Sequence, residues 1–154
     1  RRKKLTHNRA ICQCQKGRKP NPCIEMARKI LLIDDEAGFT VLLKMNLEKS
    51  GGYEVKIEND STLAVSTALS FMPDAIILDV VMPGMDGGDV QAAMQNIPRL
   101  ARIPVLMLTA LVDSTELSEG AVAQAGKQMV LPKPVNLALL LRVLNEILGP
   151  EPEA

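Results

Sequence analysis

The chain has 154 residues, 47% of them apolar, which suits one domain with a substantial core. Its aromatic residues are only Phe39, Phe71 and Tyr53, so Leu, Ile, Val, Ala and Met must build that core. No apolar run reaches the ~18 residues of a membrane helix, and no secretory pattern follows the basic start; a cytoplasmic protein without a membrane partner is expected.

The formal charge of zero hides two unlike parts: residues 1–25 hold eight basic residues and one acid, a net +7, and the remainder is −7. The first part is basic, lacks apolar periodicity and ends in Gly17, Pro20 and Pro22. Such a composition buries little and reads as a disordered leader. Cys12, Cys14 and Cys23 with His7 make a four-donor set for zinc, but the spacing differs from the paired C-x2-C pattern of zinc knuckles. A nucleic-acid-binding arm would lack a reading helix or an aromatic platform. Met26 reads as an ordinary start, so a leader foreign to the natural protein, or a misassigned start, would account for the change in composition. The expected organisation is leader 1–25, globular body 26–149 and polar tail 150–154.

The body opens with a short apolar run, Lys29 to Ile33, ending in Asp34-Asp35-Glu36. A first helix is expected from about Ala37 to Lys49, with Val41, Leu42, Met45 and Leu47 on its apolar side and Ser50-Gly51-Gly52 as its stop. Tyr53 to Glu58 alternates as a second strand, and Asp60 or Ser61 can cap a second helix running to about Phe71. Pro73 leads into a third strand, Ala75 to Asp79; its unbroken apolar character marks burial on both faces. Val80-Val81-Met82-Pro83-Gly84-Met85-Asp86-Gly87 then turns the chain away. A third helix from about Gly88 to Asn96, a fourth strand over Ile103 to Leu108, a fourth helix within Asp113 to Ala125, a fifth strand over Gln128 to Leu131 and a fifth helix from about Asn136 to Leu148 complete the body. Strands alternating with helices imply right-handed crossovers and a parallel sheet covered on both faces. The expected fold is α/β: a doubly wound, five-stranded parallel sheet in a three-layer, flavodoxin-like arrangement.

In such a sheet ligands bind beyond the carboxyl ends of the strands. The polar residues at those ends are Asp34 and Asp35, Asp79, Thr109 and Lys133. Singly each is unremarked: a capping turn, a loop acid, a surface hydroxyl, a solvated lysine. Together they are hard to produce by accident. Three carboxylates repel unless a cation or proton joins them, and a hard divalent ion such as Mg2+ suits oxygen ligands. Metal, ammonium and hydroxyl together can hold the oxygens of a phosphoryl group, with Asp79 as the nucleophile that receives it.

These motifs, Ile33-Asp34-Asp35-Glu36, Leu78-Asp79 through Gly87, Leu108-Thr109-Ala110 and Pro132-Lys133-Pro134, resemble those of the receiver domains of two-component response regulators, over Arg28 to about Leu148. The resemblance implies that Asp79 is the phosphoacceptor, that Asp34, Asp35 and Asp79 bind Mg2+ with the backbone carbonyl of Val81, that Thr109 is the switch hydroxyl, and that Lys133 contacts the phosphoryl group. It implies a cis Lys133–Pro134 bond, and a phosphohistidine donor on a sensor histidine kinase or phosphotransfer protein. Such a protein is not an enzyme beyond catalysing its own phosphorylation and slow dephosphorylation. Two positions depart from the pattern. Val130 stands where the family usually carries the Tyr or Phe that reports phosphorylation. Val81 and Leu111 occupy positions that tune loss of the phosphoryl group; both are apolar, and a long-lived aspartyl phosphate is expected.

Only Pro150 to Ala154 follow the last helix, so the expected output is contact with an unknown protein, unless the chain is a piece of something longer. Leu137, Leu140, Leu141 and Leu144 can face the sheet at helical spacing, which leaves Leu139 and Val143 off that stripe and expected to be exposed. A homodimer through helix four, strand five and helix five is one expectation. The alternative is a pseudo-receiver that binds proteins without phosphorylation. A flavin-binding module would need a phosphate-cradling loop where Asp34-Asp35-Glu36 stands. A haloacid-dehalogenase-type phosphatase wants an acid where Val81 stands.

Overall fold

The computed structural model describes residues 27–110, 123–125 and 128–149. Strand β1, Arg28–Ile33, pairs in parallel with β2, Tyr53–Glu58, on one side and β3, Ala75–Asp79, on the other. Next come β4, Val105–Thr109, a three-residue β5, Ala123–Ala125, and β6, Gln128–Pro132. The order across the sheet is β2-β1-β3-β4-β6-β5. Five strands run parallel, and β5 alone pairs antiparallel, on the outer edge of β6. The chain winds outward from β1 to β2, then returns to β3 and winds the other way. The switch point therefore lies between β1 and β3.

Period-two alternation sends successive side chains of each strand to opposite faces. Ile30 and Leu32 of β1, Ile77 of β3 and Leu106 and Leu108 of β4 pack with Leu43 and Leu47 of helix α1, Ala37–Ser50, and with Leu140, Val143 and Leu144 of the last helix, α4, Leu137–Leu148. Leu31 and Ile33 of β1, Ile76 and Leu78 of β3 and Met107 of β4 pack instead with Ala64 and Ala68 of α2, Ala64–Phe71, and Val90 and Met94 of α3, Gly87–Gln95. This makes the three layers, and it explains the unbroken apolar runs: Ile30 to Ile33 and Ile76 to Leu78 are wholly removed from solvent. Each such side chain contributes about 1.5–3 kcal/mol.

Several helix ends follow their sequence signals. Asp60 caps a 3-10 turn, Ser61–Leu63, that leads into α2. The Asp86 side chain accepts from the Asp89 amide to start α3, and the Asn136 side chain accepts from the Leu139 amide to start α4. Gly51 and Gly149 end α1 and α4 with positive φ.

Three expectations need correction. Val41, Leu42 and Met45 are 51%, 61% and 58% exposed. The buried side of α1 is Thr40, Leu43 and Leu47, with Phe39 half-buried beside them. The chain here is apolar on two adjacent stripes, and the stripe through residues 39, 43 and 47 wins because it faces the sheet over β2 and β1. Val143 is fully buried and Leu139 half-buried, so α4 presents a wider buried face than four leucines. Finally, Ala123–Ala125 is a strand where the fourth helix was expected to end; residues 113–122 of that helix lie outside the described residues.

Candidate functional site

The registers of the sheet bring the expected residues to one edge. Ile33 pairs with Leu78, Asp79 with Leu108, and Thr109 with Pro132. Asp34, Asp79, Thr109 and Lys133 therefore all emerge within about a residue of the same level, where the parallel strands end.

Asp34 leaves β1 fully buried. Its Oδ1 accepts the Glu36 amide at 2.9 Å, which turns the chain into α1, and its Oδ2 accepts from Lys133 Nζ at 2.6 Å. The Asp34 carbonyl accepts the Asn59 side-chain amide at 2.6 Å, and that same amide reaches Thr40 Oγ1 at 3.1 Å. Asn59 thus ties the Asp34 loop to α1 from the end of β2. Nothing in its local sequence marks it beyond an Asn placed directly after a strand.

Asp79 ends β3 and is 5% exposed. The next residues fold tightly back: the Val80 amide donates to the Leu108 carbonyl, and the Gly87 amide donates to the Val80 carbonyl, both at 2.9 Å. Gly87 has to be glycine, because a Cβ there would stand 2.4 Å from the Asp79 carbonyl oxygen and 2.9 Å from Val80 Cα. Ser61, buried, pins the same loop: its hydroxyl donates to the Pro83 carbonyl at 2.9 Å and accepts the Met85 amide at 3.0 Å. Between them Gly84 takes a φ of +90°, the left-handed conformation that a Pro-Gly turn requires.

Thr109 ends β4, is buried, and its carbonyl accepts the Lys133 amide at 2.8 Å. The Lys133–Pro134 bond is cis, as expected. The Lys133 ammonium also reaches Asp79 Oδ1 at 3.4 Å and lies 4.6 Å from the centroid of the Phe39 ring. Asp35 is exposed, yet it offers a carboxylate oxygen to a cluster with Asp34 and Asp79 whose ligating atoms all lie within 4.8 Å. Val81 is 59% exposed, and its backbone hydrogen-bonds Asp79. Val130 is half-buried on the α2–α3 side of the sheet, and Leu111 lies outside the described residues.

Burial pushes the Asp79 carboxyl up from its usual range, and the charge of Asp34 pushes it further; Lys133 and the Val81 backbone only partly offset this. Burial alone would lower the Lys133 ammonium, but the hydrogen bond and charge of Asp34, with Asp79 behind it, hold it above the ordinary lysine range. Among the described residues the site thus has three carboxylates, one cation and only oxygen donors for a metal, a set that fits a small hard divalent ion.

Because the folded protein binds the Asp79 proton more tightly than the unfolded chain, stability falls as pH rises from the ordinary value of 3.8 through the raised one. In the presence of a chelator, Asp79→Asn is expected to be more stable than the parent at pH 7.5 by about 1 kcal/mol, and the gain should shrink at pH 4. Urea unfolding at the two pH values checks this; a variant less stable than the parent at pH 7.5 would contradict it.

A family model for the response regulator receiver domain matches residues 30–145. The alkaline phosphatase synthesis transcriptional regulatory protein PhoP of Bacillus subtilis is 36% identical over 134 residues, covering 83% of this chain and 54% of that protein. The DNA-binding dual master transcriptional regulator RpaA of Synechocystis is 34% identical over 120 residues, covering 78% of this chain and 48% of that one. The chain thus spans about half the length of these curated relatives. Among solved structures, the chemotaxis protein CheY4 of Vibrio cholerae superposes with a TM-score of 0.65 at 31% identity, over 78% of this chain and 98% of that one.

Proposed function

Since the chain belongs to the response regulator receiver domain family, we propose that it accepts a phosphoryl group on Asp79 from a phosphohistidine of a sensor histidine kinase or phosphotransfer protein, in the cytoplasm. The observation that carries this reading is the buried Asp79 carboxylate at the sheet edge, 3.4 Å from a lysine that also holds Asp34.

An Asp79 oxygen attacks phosphorus, and the bond to the donor imidazole nitrogen breaks with its electron pair, which takes a proton. Transfer of this kind depends on positioning and charge neutralisation. Burial beside Asp34 leaves Asp79 short of stabilising partners, which favours attack on an electrophile. Lys133 supplies fixed positive charge, and the Thr109 hydroxyl would donate to a phosphoryl oxygen. Asp34, Asp35 and Asp79, with the Val81 carbonyl, would hold Mg2+, whose chemistry is to neutralise phosphoryl oxygens. The chain catalyses only its own modification and its slow reversal, and the signal passes to a partner protein. The Val81 side chain, apolar and exposed, cannot orient a hydrolytic water by hydrogen bonding, which supports a long-lived adduct.

Incubation with acetyl phosphate and Mg2+ is expected to add one phosphoryl group to the intact mass, to add none with a chelator present, and to leave an adduct that lasts for minutes. A folded protein that gains no mass would overturn the proposal and leave a phosphorylation-independent binding module.

A further inference from the structure

The Lys133 ammonium has three donors, and the two carboxylates account for two of its directions: Asp34 Oδ2 at 2.6 Å and Asp79 Oδ1 at 3.4 Å. Beyond them the only described group holding it is an aromatic ring. Phe39, from the first turn of α1, places its centroid 4.6 Å from Nζ. A lysine side chain has a four-carbon stem and much freedom to lose, and the anchoring of its backbone at the end of β6, where its amide donates to the Thr109 carbonyl, does not by itself place the ammonium. Phe39 itself cannot drift, because it packs against the core cluster that includes Leu43 and Leu140.

We propose that Phe39 is a positioning residue for Lys133: its ring face holds the ammonium between Asp34 and Asp79, in place to meet the incoming phosphoryl group. The inference rests on the phosphoacceptor reading for its kinetic consequence but not for its geometry. A face-on cation–ring contact in a partly desolvated site is worth enough to bias a flexible lysine severalfold toward one position. The preference is for a π face at this position, not merely for bulk. Leu would fill much of the space and supply no quadrupole, whereas Tyr and Trp would keep it.

Two readouts on the full chain test this. In proton NMR the Lys133 ε-methylene resonances should be shifted upfield by the ring, and Phe39→Leu should abolish the shift; unshifted resonances in the folded parent would overturn the contact whether or not the protein accepts phosphoryl groups. In acetyl phosphate kinetics followed by intact mass, Phe39→Leu should slow uptake about fivefold, and Phe39→Tyr and Phe39→Trp should stay within about twofold of the parent. Equal rates for Phe39→Leu and parent would overturn the proposal, as would Phe39→Tyr and Phe39→Trp variants as slow as Phe39→Leu at matched thermal stability. A parent that takes up no phosphoryl group would count against the proposed function, and the NMR shift would then decide the contact alone.

Discussion

Lys133→Met is expected to cost about 3 kcal/mol of stability in the absence of Mg2+ and to slow phosphoryl uptake about 100-fold. The structural cost follows from what Lys133 leaves behind. Asp34 is fully buried and its Oδ2 takes a 2.6 Å bond from Nζ, while Asp79 sits at 5% exposure with the same ammonium at 3.4 Å. Removing one member of a buried charge set strands the others, at about 3–5 kcal/mol when burial is complete. The lysine side chain is 16% exposed here, so the lower end applies. Added Mg2+ should recover part of the loss, because a divalent ion replaces the missing positive charge among Asp34, Asp35 and Asp79. The kinetic cost follows from removing one fixed donor from the developing phosphoryl charge, typically 100-fold or more. Urea unfolding with and without Mg2+, and uptake rates from acetyl phosphate, measure both. Uptake within a few-fold of the parent would contradict this role for Lys133.

Gly87→Ala should destabilise the protein by about 2 kcal/mol, at the scale of forced overpacking, and slow uptake as strongly as a change in the site itself. The new Cβ would meet backbone, at 2.4 Å from the Asp79 carbonyl oxygen and 2.9 Å from Val80 Cα, and backbone of a central strand cannot swing aside. Either α3 moves out or the end of β3 moves down, and the second displaces the Asp79 carboxylate. An ångström of misplacement at a reacting group can cost ~100-fold. Gly88→Ala is the internal control. Its Cβ would meet only the Asp86 carboxylate at 3.2 Å on an exposed turn, so stability should change by less than about 1 kcal/mol. Equal urea midpoints for the Gly87 and Gly88 variants would refute the close-approach argument.

Much of this was legible in the chain because the signals were local. Four strand ends carry Asp34, Asp79, Thr109 and Lys133, and a parallel sheet has only one carboxyl edge, so the strand pattern alone gathers them. The buried stripe of α1 was not legible, because Phe39 to Leu47 is apolar on two neighbouring stripes and only the direction in which the sheet lies separates them. The same holds for Val143, which reads as peripheral until α4 is seen packed on β3 within the core cluster. The short β5 hides inside a stretch with no strand pattern of its own. Asn59 and Phe39 escaped for a different reason. Asn59 acts on Asp34 and Thr40 across 25 and 19 positions, and Phe39 lies 94 positions before Lys133, so no spacing rule links them.

In the proposed reaction Asp79 is the group that takes the phosphoryl. The most direct measurement is to react the protein with acetyl phosphate and Mg2+, trap the acyl phosphate with borohydride, and map the reduced residue by peptide mass. Reduction is expected at Asp79 and nowhere else, with none in Asp79→Asn. A trapped residue at Asp34, Asp35 or elsewhere, or equal trapping in Asp79→Asn, would contradict it.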